Sequence, residues 1–272
     1  MTKDDLLFFR TWFSAYCKSF YSPDSEEQKN ISLKENHTFN VCKHIIEIAR
    51  ELSFSDNEIM LAETIALFHD IGRFPQYAKY KTFNDSISVN HGVLGAHTLL
   101  EEKILKNLTE DEQKLIIRSV RFHNAYSLPV DEEEGSAVFI KLIRDADKLD
   151  IWRVFIEYYE SSQKERASAV SLGLPDTTEY SEEILSCIHR KQMVSLSKVK
   201  TLNDFKLMQL SWIFDLNFKT SFRLLLERNY IDRIISQLPQ EEDMNRVSSA
   251  LKEFVHMRVN YPAESLRESK QS

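Results

Sequence analysis

Only five glycines and six prolines punctuate this 272-residue chain. Sheets and their turns consume both residue types, so the scarcity favours helices joined by few breaks. The apolar residues agree, recurring at helical spacing rather than alternating. Leu6, Leu7, Phe9, Phe13, Tyr16 and Phe20 predict a helix within residues 4–21, followed by a polar loop over 22–32 around Pro23. Val41, Ile45, Ile48, Ala49 and Leu52 predict the next helix, 36–53. Ser55 with Glu58 and Thr109 with Glu112 have the spacing of capping boxes, so helices start at both points. The first runs through Ile65 and Phe68 until Gly72 and Pro75 end it. An ordered loop is expected over 73–90, a helix from His91 to about 106, and a helix from Thr109 to His123.

A loop with Pro129 and an acidic run over 131–134 precedes a long helix holding Val138, Ile143, Asp147, Ile151 and Tyr158. The polar stretch 161–178, with Gly173 and Pro175, is the clearest boundary, and further helices are expected over 180–192, 203–215, 217–237 and 241–259. The expected fold is therefore all-α. It is a helical bundle in one domain over 1–272, with a core of about 30–160, carboxyl-terminal helices of about 178–260 packed on it, and a frayed tail.

A net charge of -7 argues against a general grip on nucleic acid, which needs a basic surface. Cys17, Cys42 and Cys187 are odd in number, far apart and without CxxC spacing, so they read as free thiols of a reducing compartment. No stretch approaches the roughly 18 uncharged apolar residues of a spanning helix, and MTKDDLLFFRTWF lacks the features of a secretory signal. A cytoplasmic location is expected.

Six of the eight histidines lie between residues 37 and 123, a concentration that points to metal binding because imidazole is the commonest metal ligand. His69 and Asp70 stand side by side in LFHDIGRF, after an apolar helical run. Adjacent helical residues project about 100° apart, but at a helix end the chain can turn both toward one ion, and Gly72 offers such a turn. His37 opens its helix, and His44, two turns away, is too distant to share the ion directly. His91, at a helix start, is chosen over His97, which sits among leucines as a packed histidine would. His123 ends its helix in SVRFHNAY, while His189 and His256 are unaccompanied. In RDADKLD, Asp147 lies three and four residues from the core-facing Ile143 and Ile151 and faces inward, leaving Asp145 and Asp150 to pair with Arg144, Lys148 or Arg153. Arg73 and Lys148 adjoin candidate ligands and are either phosphate-binding groups or salt-bridge partners. Tyr77, Lys79, Tyr80 and Lys81 follow the doublet and either stack a base or anchor their loop.

The order His37, His69–Asp70, Asp147 resembles the HD-domain phosphohydrolase superfamily. LFHDIGRF is similar to its LLHDIGK motif and RDADKLD to its closing DADKLD motif, over roughly residues 30–160. The resemblance implies a helical bundle in which a divalent metal promotes hydrolysis of phosphate esters, often of nucleotides. His91 and His123 extend it toward two-metal members, in whose pattern Asp70 bridges, His37, His69 and Asp147 hold one ion, and His91 and His123 hold the other. The chain departs from the HD-GYP type, with FHNAYSLP in place of HHERxDGxGYP and Arg73 where a lysine often follows Ile-Gly, which argues against cyclic dinucleotides as substrate. The expected cofactor is one or two divalent ions: Mn, Fe, Co, Ni or Zn, which suit mixed His/Asp ligation, or Mg. The expected activity is hydrolysis of a phosphate mono- or diester of a small molecule, with Asp70, Arg73 and Lys148 as catalytic residues. The alternatives are a non-catalytic metal-binding module of the same fold and a metal-dependent single-strand nuclease.

Overall fold

A computed structural model describes residues 1–128, 134–161 and 173–261, which contain helices and no strand. Pro129, the acidic residues 131–133, most of the 161–178 boundary and the tail beyond 261 lie outside the described residues. The described chain divides into two compact units, residues 1–128, 134–151 and 161, and residues 152–160 with 173–261.

The first unit holds α1 (Lys3–Lys18), α2 (Ser25–Glu51), α3 (Asp56–Phe68), α4 (Arg73–Tyr80), α5 (His91–Glu101), α6 (Glu110–Phe122) and most of α7 (Glu134–Glu160). Capping boxes start α3 and α6 as expected, with Ser55 and Glu58, and Thr109 and Glu112, exchanging both hydrogen bonds. Each box satisfies amide groups that a helix start leaves orphaned. α2 packs along α3, α1 and α6 also pack on α3, and α5 packs on α6. α3 is therefore surrounded, and its residues Leu61–Phe68 are all buried. Among them Glu63 is tied by the Arg10 guanidinium. Fully buried Phe13, Ile45, Ile48, Ile65 and Phe68 make the core, with the Phe9 and Phe68 rings 5.6 Å apart edge to face.

Two of the expected elements differ in this unit. α2 begins eleven residues before the expected position 36, because the Asp24 carboxylate accepts from the Glu26 and Glu27 amides and caps a polar first turn. The segment after Gly72 is not a loop throughout: α4 forms over Arg73–Tyr80, and a short 3-10 turn follows at Asp85–Ile87. Pro75 sits in the first turn of α4, where an amide hydrogen has no helical partner to lose. Tyr77 is accordingly buried, accepting from Asn30 Nδ2 at 2.9 Å and lying 5.0 Å from the Phe83 ring, which is an anchoring role.

The second unit holds α8 (Glu182–His189), α9 (Leu202–Ser211), α10 (Lys219–Glu227), α11 (Tyr230–Ile235) and α12 (Glu242–Asn260). The expected 217–237 helix is two helices, split where Asn229 adopts a left-handed φ of 55°. Residues 202–211 of α9 are buried on every face, and Trp152 donates from Nε1 to the Gln209 carbonyl at 3.0 Å. No helix among the described residues is long and apolar enough to cross a membrane. Cys17, Cys42 and Cys187 are free and buried.

Candidate metal centre

α3 ends at Phe68, and His69 forms its carboxyl-terminal cap. The His69 ring turns back so that Nδ1 lies 2.7 Å from the Ala66 carbonyl, three residues earlier. α6 repeats this arrangement, with His123 as the cap and its Nδ1 2.7 Å from the Val120 carbonyl. A carbonyl can only accept, so both rings carry their proton on Nδ1 and present the lone pair of Nε2. His37, on α2, directs Nδ1 at Asp150 Oδ2 at 2.7 Å, and His91, at the start of α5, directs Nδ1 at Asp85 Oδ2 at 2.6 Å. All four imidazoles thus offer Nε2 to one interior point. Acceptors of this kind behind an imidazole orient it as a metal ligand.

Asp70, 2% exposed, lies at the middle. Its Oδ2 is 3.6 Å from His37 Nε2 and 3.7 Å from His69 Nε2, and those two nitrogens are 3.3 Å apart. Asp147 Oδ1, from α7, closes the same group at 3.0 Å from His37 Nε2 and 3.6 Å from His69 Nε2. On the other side, Asp70 Oδ1 is 3.4 Å from His91 Nε2 and 3.8 Å from His123 Nε2, which stand 3.0 Å from each other. Ligand atoms about 2.1 Å from one ion stand about 3.0 Å apart at octahedral angles and about 3.4 Å apart at tetrahedral ones. The observed separations match that range closely enough for an ion to enter with small adjustments. His37, His69 and Asp70 form one buried group suited to a metal ion, and Asp70, His91 and His123 form another.

The charges show the same design. Burial opposes ionisation of Asp70, but Lys34, His69, Arg73 and His91 outweigh it and hold its pKa well below the usual range. Asp147 is likewise held low, with the adjacent His37 and His69 imidazoles outweighing burial. Burial works against protonation of His37, yet bonds to Asp147 and Asp150 raise its pKa to about 9. Burial and its histidine neighbours push His123 down to about 3. His91 is lowered by burial and Arg73.

Two cations border the cluster. Lys34, one turn before His37, donates from Nζ to Asp70 Oδ2 at 2.7 Å. Arg73 donates from Nη1 to Asp85 Oδ1 at 2.8 Å and to the Phe83 carbonyl at 2.6 Å, and its Nε lies 3.4 Å from Asp70 Oδ1. Among the described residues that buried Nε has no hydrogen-bond acceptor. Both cations lie over the Phe83 ring, 5.3 and 5.8 Å from its centre.

The HD domain family matches residues 35–152. The chain carries an HD domain. No curated protein and no solved structure matches it significantly. HD domains belong to a superfamily of metal-dependent phosphohydrolases, and the matched segment ends just after Asp150 and holds every histidine and aspartate of both groups.

Within the HD domain the structure brings together all six residues read as ligands, His37, His69, Asp70, His91, His123 and Asp147. Lys148 is buried and donates to the Arg144 carbonyl at 3.4 Å. Asp150, expected to pair with a basic neighbour, backs His37, three residues along α7 from Asp147 and therefore on the same face. His44 is buried with Nε2 3.8 Å from the other Asp150 oxygen. His97, expected to pack, is exposed, because α5 turns Gly92, Ala96 and Leu99 inward. Gly72 also has a different role from the one expected. Its φ of -67° is ordinary, but a Cβ there would stand 2.3 Å from the His91 carbonyl oxygen and 2.6 Å from the Gly95 amide nitrogen. Glycine is needed for close approach, which brings α5 and His91 against the doublet. Sequence reasoning missed Lys34 and Asp85 as site residues; the signal for Lys34 was its spacing of three from His37.

Proposed function

We propose that this protein is a two-ion phosphohydrolase acting on a small phosphate ester, a nucleotide before other esters. The observation that carries this reading is the bridging position of Asp70, whose two oxygens face separate histidine pairs. His37, His69, Asp70 and Asp147 would hold one ion, and Asp70, His91 and His123 the other. Mixed imidazole and carboxylate donors favour Mn, Fe, Co, Ni or Zn over Mg. Bound there, such ions supply Lewis-acid charge that polarises a phosphoryl oxygen and acidifies water.

The chain's own residues supply the rest. Lys34 and Arg73 stand on the two sides of Asp70 and offer fixed positive charge to phosphoryl oxygens. The Arg73 Nε, which makes no hydrogen bond among the described residues, is a donor already desolvated for such an oxygen. Phe83 beneath both cations limits their freedom, so less ordering remains to be done when substrate arrives. Lys148, next to Asp147, is a third candidate for phosphate. The nucleotide preference follows from the superfamily. Three buried free thiols suit the cytoplasm, where thiols stay reduced.

The test is hydrolysis of chromogenic phosphate mono- and diesters by chelator-stripped protein reloaded with Mn, Co or Ni, followed by a nucleotide panel. Asp70→Ala should abolish turnover and leave the helical circular dichroism in place. Undiminished turnover in that variant overturns the reading. Ion binding without turnover on any ester marks a non-catalytic module, and cleavage of single-stranded DNA marks a nuclease.

A further inference from the structure

We infer that Asp85 is the positioning residue of the second ion site: it holds His91 in its ligating form and ties that imidazole to Arg73. The inference rests on the two-ion reading above. His69 and His123 close helices and find a carbonyl of their own helix behind them. His91 is the first residue of α5, with Asn90 as its cap, so no helical carbonyl precedes it. Its brace has to come from elsewhere in the chain, and Asp85, six residues earlier, provides it.

Asp85 is set by the 3-10 turn of residues 85–87, in which the Asn84 side chain accepts from the Ser86 amide. Its Oδ2 accepts from His91 Nδ1 at 2.6 Å and from Asn124 Nδ2 at 3.1 Å. Its Oδ1 accepts from Arg73 Nη1 at 2.8 Å and Gln76 Nε2 at 2.9 Å. Donors therefore converge on both oxygens. They come from α4, from α5 and from the residue after His123, and two of the four, His91 and Arg73, also approach Asp70 Oδ1. A carboxylate that merely capped its own turn would not gather them.

The pattern excludes any neutral replacement. An asparagine at 85 has one acceptor end and one donor end, while both faces of the site present donors. With its amide nitrogen toward His91, the imidazole must move its proton to Nε2 and lose the lone pair that binds metal. With the nitrogen toward Arg73 and Gln76, donors face donors and the side chain is pushed from the seat in which it braces His91. Either orientation costs the second site, whereas the first, braced by Asp150 and the Ala66 carbonyl, is untouched.

The experiment titrates chelator-stripped full-length protein with Mn2+ by calorimetry and records the electron paramagnetic resonance spectrum at saturation. Wild type should take two ions per chain and show the spin coupling of a carboxylate-bridged pair. Asp85→Asn should keep the first ion at wild-type affinity, bind the second about 10- to 100-fold more weakly, and show an uncoupled Mn2+ spectrum at one equivalent. His91→Ala should give the same one-ion state. Circular dichroism checks that the variants fold, and Asp85→Ser carries the test if Asp85→Asn does not. A second ion bound by the folded variant at wild-type affinity overturns the inference. So does a wild type that binds one ion, which leaves the first site standing. A wild type that binds none removes the two-ion reading beneath it.

Discussion

Gly72→Ala separates two reasons for a glycine after the doublet. If conformational freedom were the reason, alanine would be harmless, because φ is -67°. The close approach predicts otherwise. The added Cβ would lie 2.3 Å from the His91 carbonyl oxygen and 2.6 Å from Gly95 nitrogen, against an ordinary contact of 3.4 Å or more. Both obstacles are backbone atoms of α5, so the helix itself must retreat by about 1 Å, an overpacking that costs about 1–3 kcal/mol. In a chain of this size, that lowers the melting temperature by on the order of 5 °C. The retreat carries His91 away from Asp70 Oδ1, now 3.4 Å distant. The second ion should therefore weaken by on the order of 10-fold or more, while the first keeps its affinity. Thermal denaturation and Mn2+ calorimetry read both effects. Gly135→Ala is the control: among the described residues nothing lies within 4 Å of its added Cβ, and it sits in α7. It should be neutral or stabilise by up to about 1 kcal/mol. A Gly72→Ala protein that melts and binds ions like wild type refutes the close-approach argument.

Asp150→Asn should be the mirror of the Asp85 substitution, weakening the first ion by about 10- to 100-fold while calorimetry finds the second little changed. Equal weakening of both ions would show that α7 braces the centre as a whole. Lys34→Ala should raise KM for a phosphate ester by about 10-fold or more, the value of one charge-assisted hydrogen bond. It should also bind metal at least as tightly as wild type, since a cation leaves Asp70 Oδ2. Steady-state kinetics with calorimetry check this, and weakened metal binding in that variant would assign Lys34 a structural part instead.

What could be read from the chain depended on how local each signal was. The capping boxes of α3 and α6 were legible because four adjacent residues contain the whole interaction. The start of α2 was hidden because its first turns are polar and only Asn30 and Ile31 are buried there. α4 was hidden because a proline in a first turn looks the same in sequence as a proline that ends a helix. The same division runs through the site. Histidine is rare enough that six within 87 residues stood out. Asp85, Asp150 and Lys34 belong to types that mostly decorate surfaces, so only their contacts distinguish them. Gly72 was noticed for its neighbourhood, but its reason lies on α5, about twenty residues later and touching only in three dimensions.

The contact between Lys34 and Asp70 bears on the order of events in the making of this protein. With an ammonium on one oxygen and a guanidinium near the other, the polypeptide carries its own counter-charge for a carboxylate it has taken out of water. A divalent cation held there would take the place of a lysine at that oxygen and would not have to rescue a stranded anion. Folding would then not have to wait for metal, and the chain could reach its final shape before an ion is bound.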